Sequence, residues 1–206
     1  MMAAAPRLEG RGLACSRGMA TLFRDVSFVL DAGEWLAIRG ANGSGKTTLL
    51  RCVAGLTHVD AGSIARSGDF LYAGHLPAIN DDLDAGENLR ALLALRGIEP
   101  AADAVAGALD RVGLAKRRML PARRLSAGQR RRIGLARLAL DPAPIWILDE
   151  PLTALDADGE ALFSGLLGAH VRGGGLALVA THHDLAPAPT RELRMPAPER
   201  LSRGGA

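Results

Sequence analysis

The stretch Gly40-Ala41-Asn42-Gly43-Ser44-Gly45-Lys46-Thr47 constrains this chain more than any other part of it. Trp35-Leu36-Ala37-Ile38 before it is a short apolar run that reads as a buried parallel strand, and Thr48 to Ala54 after it reads as a helix stopped by Gly55. Strand, glycine-rich turn and helix N-terminus in that order aim unpaired N–H groups and the positive helix end at one point. The stretch therefore predicts a phosphate-binding loop. Lys46 is placed to set a point charge on the β and γ phosphates of a nucleotide, and the Thr47 hydroxyl to coordinate Mg²⁺. A chance match to the eight-residue pattern arises in roughly one chain in five hundred of this composition. Of the 25 basic residues only Lys46 and Lys116 are lysine. A compact ammonium fits inside a loop of backbone amides, whereas a planar guanidinium does not.

A chain of 206 residues with 48% hydrophobic content can bury a sizeable core. We expect one domain over residues 1–206, with a helical subdomain at about 75–135 and an irregular tail from 187 to 206. No uncharged apolar run approaches the roughly 20 residues that cross a bilayer. Met1 to Gly10 has no signal-peptide layout, so a cytosolic protein is expected. Cys15 and Cys52 have no metal-ligand spacing and read as reduced packing residues. The net charge of +3 gathers at Lys116-Arg117-Arg118, Arg123-Arg124 and Arg130-Arg131-Arg132. Such clusters suit nucleic acid or an acidic surface, but with only 3% aromatic residues there is no base-stacking platform, and solvated helix faces are the expectation.

In chain order, Leu8 to Glu34 predicts an antiparallel flap against which adenine would rest, with Arg17 near the stacking position, as a stacker or as a plain surface residue. Thr57 to Phe70 predicts a turn and strands, and Leu71 to Pro77 leaves the sheet. Asp84 and Glu87 form a capping box for a helix running to Gly97, and Val105, Ala108, Leu109 and Val112 mark a second helix ending at Gly113. Ser126 is the N-cap of a third, and its Ser-Ala-Gly turn is another anion site because the first amides are unpaired. Ile145 to Leu148 is a buried strand running into Asp149 and Glu150. Carboxylates there are costly unless they meet a cation or a proton. Asp149 suits Mg²⁺, and Glu150 is positioned to accept a proton from attacking water, an effect worth about 10²–10⁴ in rate. Leu176 to Ala180 is a further strand, ending in Thr181 and His182. At that strand end His182 is expected to contact the γ phosphate, while His183 reads as surface. Loop, carboxylates and histidine thus converge beyond the carboxyl ends of parallel strands, where open α/β sheets bind ligands.

The segments GANGSGKT, LSAGQ, WILDEP, ALD and TH, in this order and spacing, resemble the ATP-binding subunit of an ABC transporter over about residues 8–185. The resemblance implies an α/β fold: a P-loop (RecA-like) ATPase core with an antiparallel β flap and an inserted helical subdomain. It implies a head-to-tail homodimer holding two ATP molecules with Mg²⁺. Gly40, Ala41, Asn42, Gly43, Ser44, Gly45, Lys46, Thr47 and Thr48 would bind nucleotide in one copy, and Ser126 and Gly128 would cap the γ phosphate held by the other. Asp149 and Glu150 match the metal-binding and catalytic carboxylates, Asp156 the dimer-bridging loop, and His182 the switch histidine. One position departs: the family's usual glutamine at the lobe exit is matched by Leu76. Leucine neither ligates Mg²⁺ nor senses a phosphate, so either His75 takes over part of the task or coupling is weakened.

Gly33-Glu34-Trp35, LSAGQRRRIGLARL and the run Pro144 to Pro151 are most similar to the ATP-binding subunit of the haem exporter of cytochrome c biogenesis. That resemblance implies a membrane permease, a haem-handling membrane protein and a peripheral position on the cytoplasmic face of the bacterial inner membrane. No residues recognisably bind haem. Alternatives are a motor for a lipid, peptide or drug, and a soluble ATPase on nucleic acid. The latter relatives carry two cassettes or a long coiled-coil insertion, neither of which is present, so no nucleic-acid partner is expected.

Overall fold

The computed structural model describes residues 5–18 and 20–196. Five parallel strands make the central sheet in the order β5 (Phe70–Ala73), β6 (Ile145–Asp149), β7 (Leu176–Ala180), β3 (Trp35–Arg39) and β8 (Arg191–Arg194). Three of them, β3, β6 and β7, are continuous apolar runs, the pattern of strands covered on both faces. Alternate residues serve different layers. Leu36, Ile38, Ile145, Ile147, Leu176 and Leu178 pack towards α1 (Lys46–Val53) and an antiparallel sheet. Trp35, Ala37, Trp146, Leu148, Ala177 and Val179 pack towards the remaining helices.

The antiparallel sheet has β1 (Arg7–Arg17) between β2 (Ala20–Asp31) and β4 (Ala61–Ser67), which is the expected flap. Arg17 lies exposed at the far end of β1. On the other face α2 (Ala85–Ala94), α3 (Ala102–Arg111) and α4 (Ala127–Leu140) pack on one another, with α5 (Ala157–Arg172) beside α4. The capping box holds: the Asp84 side chain accepts from the Glu87 amide at 2.8 Å and Glu87 reaches back to the Asp84 amide at 2.8 Å. Ser126 and Gln129 make a second box at the start of α4. Helix α1 closes on a Schellman turn, with Leu56 N–H bonded to the Arg51 carbonyl and Gly55 N–H to Cys52.

Two expectations are corrected. Leu71 to Ala73 belongs to the sheet as edge strand β5 and the chain leaves it only at Gly74. The stretch from Pro187 is not wholly irregular, because Arg191–Arg194 adds β8 beside β3. Met195 then packs on the glycine-rich turn after β3; a Cβ on Gly40 (φ +149°) would lie 3.0 Å from that of Met195 and 2.8 Å from Ser44 Oγ. Three exposed charged residues and the single, partly buried Leu193 gave the strand no apolar run. Residues 197–206 of the predicted tail lie outside the described residues.

A buried ion network fastens the helical layer to the sheet. Asp141, just past α4 and with a fully buried side chain, pairs with Arg96 at 2.8 Å and Arg137 at 3.9 Å. Arg96, beyond α2, also reaches Asp69 and the carbonyl of Phe70 where β5 begins. Asp141→Ala leaves Arg137 without a carboxylate and Arg96 with only the more exposed Asp69, so we predict a loss of about 3–5 kcal/mol in denaturant unfolding. A loss under about 1 kcal/mol would contradict it.

Towards the N-terminal end of β6, away from the turn after β3, the Trp146 and His170 rings stack at 3.8 Å and 7°. Burial pushes the His170 imidazole below its ordinary 6.5, against the opposing pull of the Leu176 and Pro144 carbonyls. The unfolded chain then binds the proton more readily than the folded one, so this contribution is complete above pH 6.5 and is lost as pH falls below it. His170→Phe, which keeps a stacking ring, is predicted to flatten the decline of the unfolding midpoint between about pH 6.5 and 5. An unchanged slope would refute this.

Candidate active site

Four strands end on one side of the sheet, and each delivers a part of the candidate site. Beyond β3 the chain turns through residues 40–45 and enters α1 at Lys46, two residues earlier than expected, on Gly45 in the left-handed region at φ 94°. A helix that starts there leaves its first amides unpaired beside the turn. The Lys46 side chain is only 8% exposed, and its ammonium donates to the carbonyls of Gly40 at 2.7 Å and Ala41 at 3.3 Å. Thr47 is exposed and Thr48 half-buried in the first turn; Ala41, Asn42 and Gly43 are exposed.

Lys46, Glu150 and His182 come together. His182 Nε2 lies 3.1 Å from Lys46 Nζ and 3.2 Å from Glu150 Oε1, with Lys46 to Glu150 at 4.0 Å. One ring nitrogen serves one of these partners at a time, accepting from the ammonium or donating to the carboxylate, according to its protonation. Glu150 occupies the left-handed backbone region at φ 48°. A non-glycine residue there costs about 1–3 kcal/mol and marks sites that need a side chain aimed in one direction. Its N–H donates to the Ala180 carbonyl at 2.9 Å.

Asp149 is 1% exposed, and neither carboxylate oxygen has a hydrogen-bond partner among the described residues. Ser44 Oγ, at the floor of the turn, is likewise buried and unpartnered. An unbalanced buried anion costs several kcal/mol, so this donor set fits a hard divalent cation. A cavity of about 260 Å³ between β5, β6 and α4 reaches Asp149, with Leu76, 80% exposed, at its rim.

Ser126, Gly128 and Asp156 lie in a second group. Among the described residues none of them bonds to the turn at 40–47. A Cβ on Gly128 would lie 2.7 Å from the Ala154 carbonyl, so only glycine lets the start of α4 approach the loop before α5 so closely. Asp156 caps α5 on the Gly159 amide at 3.0 Å and pairs with Arg132 at 2.6 Å. The Arg132 hydrogen bond and then the Gly159 amide hold its carboxyl below the usual range.

Two arginines escaped sequence reasoning. Arg39 donates to the carbonyls of Thr181 at 3.2 Å and His183 at 2.7 Å and pairs with Asp184 at 2.9 Å, which fixes the peptides flanking His182. Arg131 is 8% exposed, contrary to the solvated face expected for residues 130–132. Its neighbours are committed too, Arg130 to Asp81 at 2.8 Å and Arg132 to Asp156. The available signal was spacing: Arg131 shares a stripe with Leu135 and Leu138, all buried. Lys116, Arg117, Arg118, Arg123 and Arg124 are exposed, as expected.

The ABC transporter family model matches residues 23–153. The cytochrome c biogenesis ATP-binding export protein CcmA of Xanthomonas campestris pv. campestris is 48% identical over 198 residues, covering 91% of this chain and 92% of its own. The protein of the same name from Methylococcus capsulatus is 44% identical over 190 residues, covering 86% and 92%. Among solved structures, a Pyrococcus furiosus ABC transporter ATP-binding protein superposes with a TM-score of 0.81 at 21% identity, covering 92% of this chain and 97% of its own. A dimeric ATP-binding cassette in a post-hydrolysis state, bound to ADP and Pi, gives 0.79 at 21%, covering 94% and 97%. At such identities the structural likeness concerns the fold.

The apolar, exposed Leu76 has no polar atom to offer the site. Leu76→Gln is predicted to raise ATP hydrolysis by the assembled complex severalfold, measured as phosphate release. No change, with His75→Ala equally silent, would contradict this.

Proposed function

This chain belongs to the ABC transporter family, among the cytochrome c biogenesis ATP-binding export proteins, and from that premise we propose that it is the ATPase motor of a haem-linked exporter for cytochrome c maturation. The observation that carries the site assignment is the meeting of Lys46, Glu150 and His182 within 3.1–4.0 Å at the ends of three parallel strands. We assign the amides of the turn and Lys46 to the ATP phosphates. Thr47 and Asp149 are assigned to Mg²⁺, which when bound neutralises charge on the β and γ phosphates. Glu150 takes a proton from the water that attacks the γ phosphorus, the bond to the bridging oxygen breaks, and ADP and phosphate leave. His182 contacts the γ phosphate and exchanges partners with Glu150.

Ser126 and Gly128 at the start of α4, and Asp156, are assigned to the nucleotide held by a second copy in a head-to-tail homodimer. The dimer works on a membrane permease, with a haem-handling membrane protein as the further partner, on the cytoplasmic face of the bacterial inner membrane. No helix among the described residues is long and apolar enough to cross a membrane, which agrees with a peripheral subunit.

Glu150→Gln removes the proton acceptor and keeps the shape. We predict that it lowers kcat about 10²-fold or more and traps an ATP-bound dimer, seen in size-exclusion chromatography. Purified from detergent-solubilised membranes with ATP and Mg²⁺, this variant should bring down a small permease and a partner with haem absorbance. Wild-type turnover would overturn the assignment of Glu150. A different permease without haem would remove the cargo and leave the motor.

A further inference from the structure

We propose that Arg131 is a positioning residue that couples the start of α4 and the lobe exit to the catalytic carboxylate, by holding the backbone of Glu150 and of residue 75 in one guanidinium; this rests on the assignment of Glu150 above. Three carbonyls from two separate segments, residues 150–151 and residue 75, converge on it. Arg131 donates to His75 at 2.7 Å, to Pro151 at 3.2 Å and to Glu150 itself. A rigid planar fork with five donors holds three acceptors at fixed spacing in one plane, whereas an ammonium gathers its acceptors around a single nitrogen.

The placement is expensive for a merely structural contact. Arg131 lies on the buried stripe of α4 with Leu135 and Leu138, where an apolar side chain would avoid the desolvation of a guanidinium. Burial pulls its pKa down, while the charges of Asp149 and Glu150 oppose that pull. The group is therefore held as a cation at the point where the carboxylates leave β6. Glu150 needs such a fixture, because its left-handed conformation persists only if its peptide is held on both sides. Ala180 accepts from its N–H and Arg131 donates to its C=O.

Helix α4 supplies the mechanical link. Arg131 is five residues beyond Ser126, about 7 Å along a rigid helix. A displacement of the Ser126 end moves the guanidinium and with it the peptide of Glu150. The tie to the lobe exit runs through the main-chain oxygen of His75 and does not depend on the side chain at 76, which here is an exposed leucine.

Arg131→Met and Arg131→Lys in the full chain test this by ATPase kinetics, thermal unfolding and amide hydrogen exchange. In the folded Met variant we expect kcat to fall about tenfold or more with KM for ATP within about threefold, and the Lys variant to recover part of the loss. Amides of residues 150–155 should exchange about tenfold faster or more, with those of α1 unchanged. If the Met variant does not fold, the Lys variant carries the same comparison. A folded variant with kcat within about twofold of wild type, or with unchanged exchange at 150–155, overturns the proposal. Should Glu150→Gln turn over like wild type, the assignment of the base fails, while the exchange measurement still reports on the tie.

Discussion

Asp149 ends a fully buried strand of the sheet with both carboxylate oxygens out of water and, among the described residues, no hydrogen-bond donor on either. In a low-dielectric interior such a group is costly, and the architecture around it makes sense as a way of keeping it there. Parallel strands covered on both faces bring four chain exits to one edge. The turn at 40–45, the strained Glu150 and the loop of His182 come from three of them, and Leu76 from the fourth. The nearby positive charges, Lys46 and Arg131, are themselves engaged by backbone carbonyls, so neither closes on Asp149. The site is thus assembled at a cost in stability that the proposed divalent cation would offset.

What local chemistry dictates was legible. Capping residues, glycine stops and unbroken apolar runs act within a few residues, which is why α1, α2, β3, β6 and β7 fall where their sequences indicate. The meeting of Lys46, Glu150 and His182 was legible for the same reason, since each follows a strand whose hydrophobicity is unmistakable. Features that depend on partners distant in sequence were not. Strand β8 reads as Arg-Glu-Leu-Arg and exists because β3 offers it an edge. Arg131 looks like one of three charges on a helix until Glu150 and His75 are brought to it. Arg39 ends an apolar strand and acquires meaning only from the loop at 181–184.

The leucine at 76 gives this chain a different division of labour from the one its family resemblance implies. A side chain at that position cannot report on nucleotide, yet the main chain beside it is bound to the same arginine that holds Glu150. Contact between the helical layer and the chemistry is therefore carried by backbone oxygens and one guanidinium, with Arg96 and Asp141 anchoring the same layer farther from the site.

The most direct test of this account is calorimetric unfolding of wild type and Asp149→Asn, with ATP alone and with ATP plus Mg²⁺. Ligand at about a hundred times its Kd stabilises the folded chain by about 2.7 kcal/mol, a readable shift. We predict that Mg²⁺ adds a clear further increment in the wild type and none in Asp149→Asn, whose ligand-free form melts no lower than the wild type. An undiminished Mg²⁺ increment in the variant would contradict the claim that this buried carboxylate is the group around which the site is built.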